Sequence, residues 1–270
     1  MRAVEVAGVG LFCPAGIGEA GALGGRKGEV PDFSPKAYVR NRKNLKLMSR
    51  SVRLGVSAIR VALSDAGGVD EVPPIRRGMF VGTTPLGGEF DDIVPALEIA
   101  TDDAGRLDVD RFAEAGYPLI HPLWLVKGLS NNVLGFASAS HDFQGVNANY
   151  CDGDASGANA LYEGWAAVAE GRADVVVAGA ADAWVGLDPL LGGRRGGEGA
   201  AFFLLRPAGP EPRWCIAPGE APVPDLDEAE LGYLGAAGLV VALARRLYRG
   251  EACGFPGPGG LTLRVGQPEM

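Results

Sequence analysis

Only four cysteines, Cys13, Cys151, Cys215 and Cys253, occur in 270 residues, and they stand far apart with no CxxC pair. That spacing indicates neither a zinc site nor a disulfide framework. Histidine is scarcer still: His121 and His141 are the two in the chain. No apolar run reaches the roughly 18–20 residues that a membrane-spanning helix needs. The opening Met1-Arg2-Ala3-Val4-Glu5-Val6 alternates like a strand and carries an acid, unlike a signal peptide. The expectation is a soluble cytoplasmic protein, with no membrane association, no metal and no cofactor.

Hydrophobic residues make up 47% and charged residues 21%, an ordinary globular balance. Glycine (42) and proline (19) are plentiful but scattered, which suits turns and close packing rather than disorder. A net charge of −8 argues against a general nucleic-acid role. One stretch opposes it. From Phe33 to Ser64 there are eight basic residues, Lys36, Arg40, Arg42, Lys43, Lys46, Arg50, Arg53 and Arg60, and no acid. A solvated helix face explains this, and so does a docking patch for an acidic partner.

Strand and helix patterns alternate. Val4–Leu11 reads as a strand ending in a Cys13–Gly16 turn, and Leu45–Asp65 as a helix closed by Gly67-Gly68. Gly78–Gly82 is a short buried strand, Asp102–Tyr117 a polar surface loop, and Trp124–Ala139 a helix. Val146–Tyr150 is a strand, followed by a helix over Ala155–Glu170. Ala173–Gly179 and Gly199–Leu205 are continuous apolar runs, as in strands covered on both faces. Pro207–Asp227, with six prolines, reads as irregular, ahead of a helix at Gly235–Arg249 and a strand at Leu261–Val265. This alternation predicts an α/β protein with mostly parallel strands.

Several segments, in order, resemble the β-ketoacyl synthases. Val6-Ala7-Gly8-Val9-Gly10 resembles that family's first strand. Lys46-Leu47-Met48-Ser49-Arg50 and Ala62–Gly67 are similar to the helical region after it. Phe143–Asn147, Ala155-Ser156-Gly157-Ala158-Asn159-Ala160 and Gly171–Gly179 resemble its central signature. Gly197–Ala201, Gly235–Gly238 and Gly257-Pro258-Gly259-Gly260 are similar to later motifs. The resemblance implies a thiolase-like layered α/β/α/β/α fold with a reduced second half. Residues 1–190 would form the N-terminal-like half and residues 191–270 a truncated C-terminal half, packed as one unit. About thirty residues between Leu205 and Gly235 stand where the family has many more.

The resemblance also locates chemistry that is missing. A ketosynthase uses a thiolate at a helix N-terminus, two histidines and an oxyanion hole of two backbone N–H groups. The nucleophile's position, three residues before Gly157, is Asp154, which also reads as a helix N-cap. Cys151 reads as a packed strand residue, or less simply as a displaced nucleophile. A histidine position falls near Tyr233, and a lysine position near Glu228. The oxyanion-loop position is Pro258, which has no N–H to donate. His121 and His141 match neither family histidine and read as structural.

Three functions remain in view. One is a non-catalytic partner subunit like a chain-length factor, paired with a ketosynthase subunit or with itself through the strand Val146, Asn147, Ala148, Asn149 and Tyr150. A second is a residual carrier-protein-dependent enzyme, a malonyl decarboxylase or a thioesterase. The third is a homodimeric scaffold binding acyl carrier protein through Arg42, Lys43, Lys46 and Arg50.

Overall fold

A computed structural model describes residues 1–23, 28–31, 33–84 and 89–268. The apolar opening forms β1 (Val4–Cys13), returned by a tight turn as β2 (Gly16–Ile17) and followed by α1 (Glu19–Leu23). Next come α2 (Arg50–Asp65), β3 (Arg77–Gly82), α3 (Val94–Ala100), α4 (Val109–Arg111), α5 (Trp124–Lys127) and α6 (Asn132–His141). The chain continues through β4 (Asn147–Tyr150), α7 (Ser156–Ala169), β5 (Val175–Ala183), β6 (Glu198–Pro207) and β7 (Cys215–Pro218). It closes with α8 (Glu228–Leu231), α9 (Gly238–Tyr248), β8 (Cys253–Pro256) and β9 (Thr262–Gly266).

One nine-stranded sheet runs in the order β4-β3-β5-β6-β1-β7-β9-β8, with β2 hairpinned onto β1. The helices cover both faces. On one, Val52, Ile59 and Val133 of α2 and α6 pack on Phe12, Val81 and Phe202. On the other, Leu161, Trp165 and Val240 of α7 and α9 pack on Val6, Val176 and Phe203. Burying each such side chain contributes roughly 1.5–3 kcal/mol. The fit of α2 on β1 depends on missing side chains. A Cβ at Gly10 would stand 1.9 Å from the Ala58 carbonyl oxygen.

Several expectations need correction. β3 runs parallel to β4 and β5, but the pairings of β5–β6, β6–β1, β1–β7, β7–β9 and β9–β8 are antiparallel. Apolar runs report that both faces are covered, not which way the strands point. β6, β7, β8 and β9 belong to the same sheet as β3, β4 and β5, and helices pack on both of its faces. Pro207–Asp227 is not wholly irregular. It contains β7, which pairs Val4 with Ile216 and Cys215 with Gly266, and four residues are too few to show a period. The Pro222 carbonyl beyond it accepts from Gly254 N at 2.9 Å, along β8.

Helix boundaries shift as well. α2 starts at Arg50, because residues 42–47 wind into a 3-10 turn capped by Asn41, whose side chain accepts from Lys43 N. The helix expected over Trp124–Ala139 breaks into α5 and α6, with Gly128 ending the first. Asp102–Tyr117 holds α4 and a single π turn at Phe112–Gly116. The connection from β3 to β4, residues 83–146, is therefore an excursion of short helices carried at one side of the sheet.

Candidate functional site

The residues matched to the family's chemistry gather where β4 and β5 end and α7 and α9 begin. Asp154 lies in a 3-10 turn, Gly153–Ala155, that leads into α7. It is not the helix N-cap; the turn displaces it. Ser156 does the local work, its hydroxyl accepting from Asp152 N and donating to Gly153 O, each at 2.7 Å. The Asp154 carboxylate is exposed to one side and on the other accepts a short hydrogen bond from the Tyr233 hydroxyl.

Tyr233 is fixed on every side. Its N–H donates to Arg195 O at 2.8 Å, and its carbonyl accepts from Gly197 N at 3.0 Å. Its ring stands 5.4 Å from that of Trp184, and the Arg194 guanidinium lies 4.0 Å from its centroid. Burial, and then the Asp154 carboxylate, push the phenol up to about 12. It stays protonated near neutrality and is no general base there. Glu228 approaches Arg194 at 3.9 Å. The described residues lining the space at Asp154, which include Leu226, Glu228, Tyr233 and Leu234, leave a cavity of about 10 Å³. That is room for about one water.

The other matched residues are not brought to this point. Pro258 belongs to the turn between β8 and β9, where Gly257 abuts Tyr162 of α7, and it does not line the Asp154 cavity. Cys151 is exposed just past β4 rather than packed, its sulfur 3.4 Å from Thr83 Oγ1 and 3.3 Å from Asn149 Nδ2. His121 is exposed, with Nδ1 accepting from Leu123 N at 3.1 Å. His141 is buried and its Nε2 has no partner, so it is structural but not fully satisfied. Desolvation, then Arg40 and Arg60, lower its pKa to about 4.

Of the basic stretch, Arg42, Lys43 and Lys46 are exposed on the 3-10 turn. Arg50 turns inward instead, its guanidinium donating to Glu198 at 2.8 and 2.6 Å. Val146 precedes β4, and Asn147, Ala148, Asn149 and Tyr150 make up that strand, paired on one side with β3.

Two acids went unnoticed in the sequence. Asp182, 2% exposed at the end of β5, accepts from Thr84 Oγ1 at 2.9 Å and Ala236 N at 3.0 Å. Burial pushes it up to about 6. It ties β5 to the start of α9, and Gly235 allows this: with φ of +52°, its Cβ would meet Asp182 Oδ2 at 2.3 Å. Glu198, also 2% exposed, binds Arg50 and accepts from Val30 N at 2.8 Å. The signal available was an acid bounding each apolar run. A cleft of about 540 Å³ beside Glu198 is lined by Glu29, Arg50, Arg53, Glu89 and Asp91 among others. Its two serines, Ser49 and Ser51, bond each other at 3.1 Å. Among the described residues, no group of three or more His, Cys, Asp or Glu could hold a metal. No described helix is long and apolar enough to cross a membrane.

The architecture matches solved ketosynthases and is thiolase-like. The ishigamide ketosynthase/chain length factor superposes with a TM-score of 0.74 at 16% identity, covering 99% of this chain and 100% of that one. A ketosynthase in complex with its chain length factor from Xenorhabdus doucetiae gives 0.68 at 12% identity, covering 99% and 98%. At such identity these show the fold. The sequence pattern of the β-ketoacyl synthase N-terminal domain matches residues 14–201. A polyketide β-ketoacyl synthase of Streptomyces halstedii is 30% identical over 208 residues, 67% of this chain and 46% of that protein. An oxytetracycline polyketide β-ketoacyl synthase of Streptomyces rimosus is 26% identical over 200 residues, 64% and 45% respectively. The chain belongs to the β-ketoacyl synthase family, and it spans about half the length of the curated relatives it matches.

Proposed function

We propose that this chain is a non-catalytic ketosynthase-like subunit of polyketide-type biosynthesis, comparable to a chain-length factor, that works through its surfaces. Residues 1–190 are then the retained half and residues 191–270 the reduced one. The observation that carries this is the hydrogen bond that ties Asp154 to Tyr233. The gap between Asp154 and Tyr233, about 10 Å³, admits about one water. The groups in the nucleophile and histidine positions are bonded to each other, and Tyr233 holds its proton. A carboxylate nucleophile would also form an anhydride, which hydrolyses. The decarboxylase and thioesterase alternatives need a base and a nucleophile that Asp154 and Tyr233, bonded to each other, do not supply.

Two surfaces do the work in this reading. The exposed Arg42, Lys43 and Lys46 dock an acidic acyl carrier protein; one relative in fold is an acyl-carrier protein in complex with its ketosynthase. The strand β4 pairs with another subunit of the same fold, either an active ketosynthase or a second copy. The test of silence is incubation with malonyl acyl carrier protein, following both masses. No loss of carbon dioxide and no acyl adduct are expected; turnover above that of Asp154→Ala would overturn the reading. Reversing Arg42, Lys43 and Lys46 to glutamate is expected to weaken carrier-protein binding roughly tenfold or more, with steeper loss at low salt. Unchanged binding would return the patch to a solvated face.

A further inference from the structure

A cleft set apart from Asp154 lies where the start of α2, the turn at Phe90–Asp92 and residues 183–187 at the end of β5 meet Glu198 of β6. Its volume of about 540 Å³ falls within the roughly 300–1,000 Å³ of small-molecule sites. Neither Asp154 nor Tyr233 lines it.

The floor of the cleft is fixed. Glu198, 2% exposed, is held by the Arg50 guanidinium and by Val30 N at 2.8 Å. Ser49, also 2% exposed, shares one hydrogen bond with Ser51 at 3.1 Å, and the two hydroxyl oxygens keep lone pairs free to accept.

Five carboxylates line the walls, Glu29, Glu89, Asp91, Asp92 and Glu198, against the cations Arg50 and Arg53. Arg50 neutralises Glu198, and Lys127 neutralises Asp92 from 2.5 Å. Glu89 accepts from Arg50 N at 2.7 Å, where the N-terminal end of α2 favours an anion. Glu29 and Asp91 are exposed and have no ion pair or hydrogen bond among the described residues. Three carboxylates outside ion pairs therefore face one guanidinium, that of Arg53, and the cleft keeps an excess of negative charge.

That charge is spread rather than gathered. Among the described residues, no group of three or more His, Cys, Asp or Glu could hold a metal. Carboxylates distributed around a wide cleft suit a cation larger than a metal ion. Between them the walls are apolar: Phe90 and Val185, 36% and 37% exposed, with Leu187 beside them. An exposed phenyl ring also attracts a cation to its face.

We propose that this cleft binds a small organic cation, a primary ammonium or guanidinium carried on a short apolar stem. Glu29 and Asp91 take the charge, the Ser49–Ser51 pair accepts hydrogen bonds from it, and Phe90 and Val185 take the stem. An anion of the same size would meet the excess of carboxylates. The inference goes beyond the function proposed above and stands apart from the catalytic silence of Asp154.

The experiment is isothermal titration calorimetry on the full chain with agmatine, which carries both head groups on a butyl stem. Butanol and glutarate serve as neutral and anionic counterparts. Agmatine is expected to bind at least roughly tenfold more tightly than either. Glu29→Gln with Asp91→Asn is expected to weaken agmatine roughly tenfold, and Phe90→Ala severalfold. These side chains are exposed, so the fold is spared, with thermal melts as the check. Asp110→Asn, an exposed acid of α4 away from the cleft, is expected to change nothing. An acetyl-arginine amide that binds more tightly than agmatine would name a partner's side chain as the source of the cation, and weaker binding a free amine. No agmatine heat at millimolar concentration would overturn the inference, as would equal binding of glutarate. Binding that the cleft variants leave unchanged, or that Asp110→Asn weakens as much, would overturn it too, since it would then be general attraction to an acidic protein. The malonyl carrier-protein result is independent of every one of these outcomes.

Discussion

Asp182 carries opposing demands within a few ångströms. Its carboxyl is needed as an acceptor for Thr84 and for Ala236 N, yet burial raises its pKa to about 6. A folded-state value above the unfolded one means that the folded chain holds the proton more tightly. The stability from this group is therefore present below about pH 4 and lost as pH rises through about 6. Asp182→Ala is expected to cost about 2–3 kcal/mol at pH 5 by urea denaturation, since it strands two buried donors. His141 tilts the other way. Its pKa of about 4 lies below the unfolded value, so protonation favours the unfolded chain and stability falls as pH drops from 6.5 toward 4. His141→Gln is expected to flatten that acid limb; an unchanged limb would place the titration elsewhere. Tyr233→Phe is expected to cost about 1 kcal/mol through the lost bond to Asp154, with no change in carrier-protein binding.

At the scale of elements, glycines act in opposite senses. Gly10→Ala is expected to destabilise by about 3 kcal/mol or more, because its methyl would enter the α2 backbone at Ala58. Gly135, within α6, has nothing within 4 Å of its Cβ position, and Gly135→Ala is expected to add up to about 1 kcal/mol. Thermal melts of the two variants would show the contrast. The same elements show what the sequence discloses. Apolar runs such as Ala173–Gly179 mark buried strands, because burial leaves a compositional trace. Strand direction left none, so the antiparallel β6 was unexpected. Four-residue β7, bounded by prolines, and four-residue β8 gave no periodicity to find. At the site, residues could be matched to the family's chemistry by position. Which of them touch could not, because Asp154 and Tyr233 lie 79 positions apart and meet only through the packing of α7 on α9. Asp154 was also assigned to capping the helix, since the 3-10 turn before α7 has no distinct signature.

For the whole molecule, one sheet takes in every described strand, and helices pack on both of its faces. Basic residues sit on one exposed turn of an acidic protein, and the excursion after β3 carries the apolar surface. The two ends of the sheet differ. At β8 the backbone of Gly254 is already engaged by Pro222, while β4 has a neighbour on one side only. A sheet open at both ends could add chains without limit, building fibres as each new copy offers the next a place. At the β8 end the Pro222 carbonyl already accepts from Gly254 N, so among the described strands β4 is the end that keeps its outer backbone groups free for another strand.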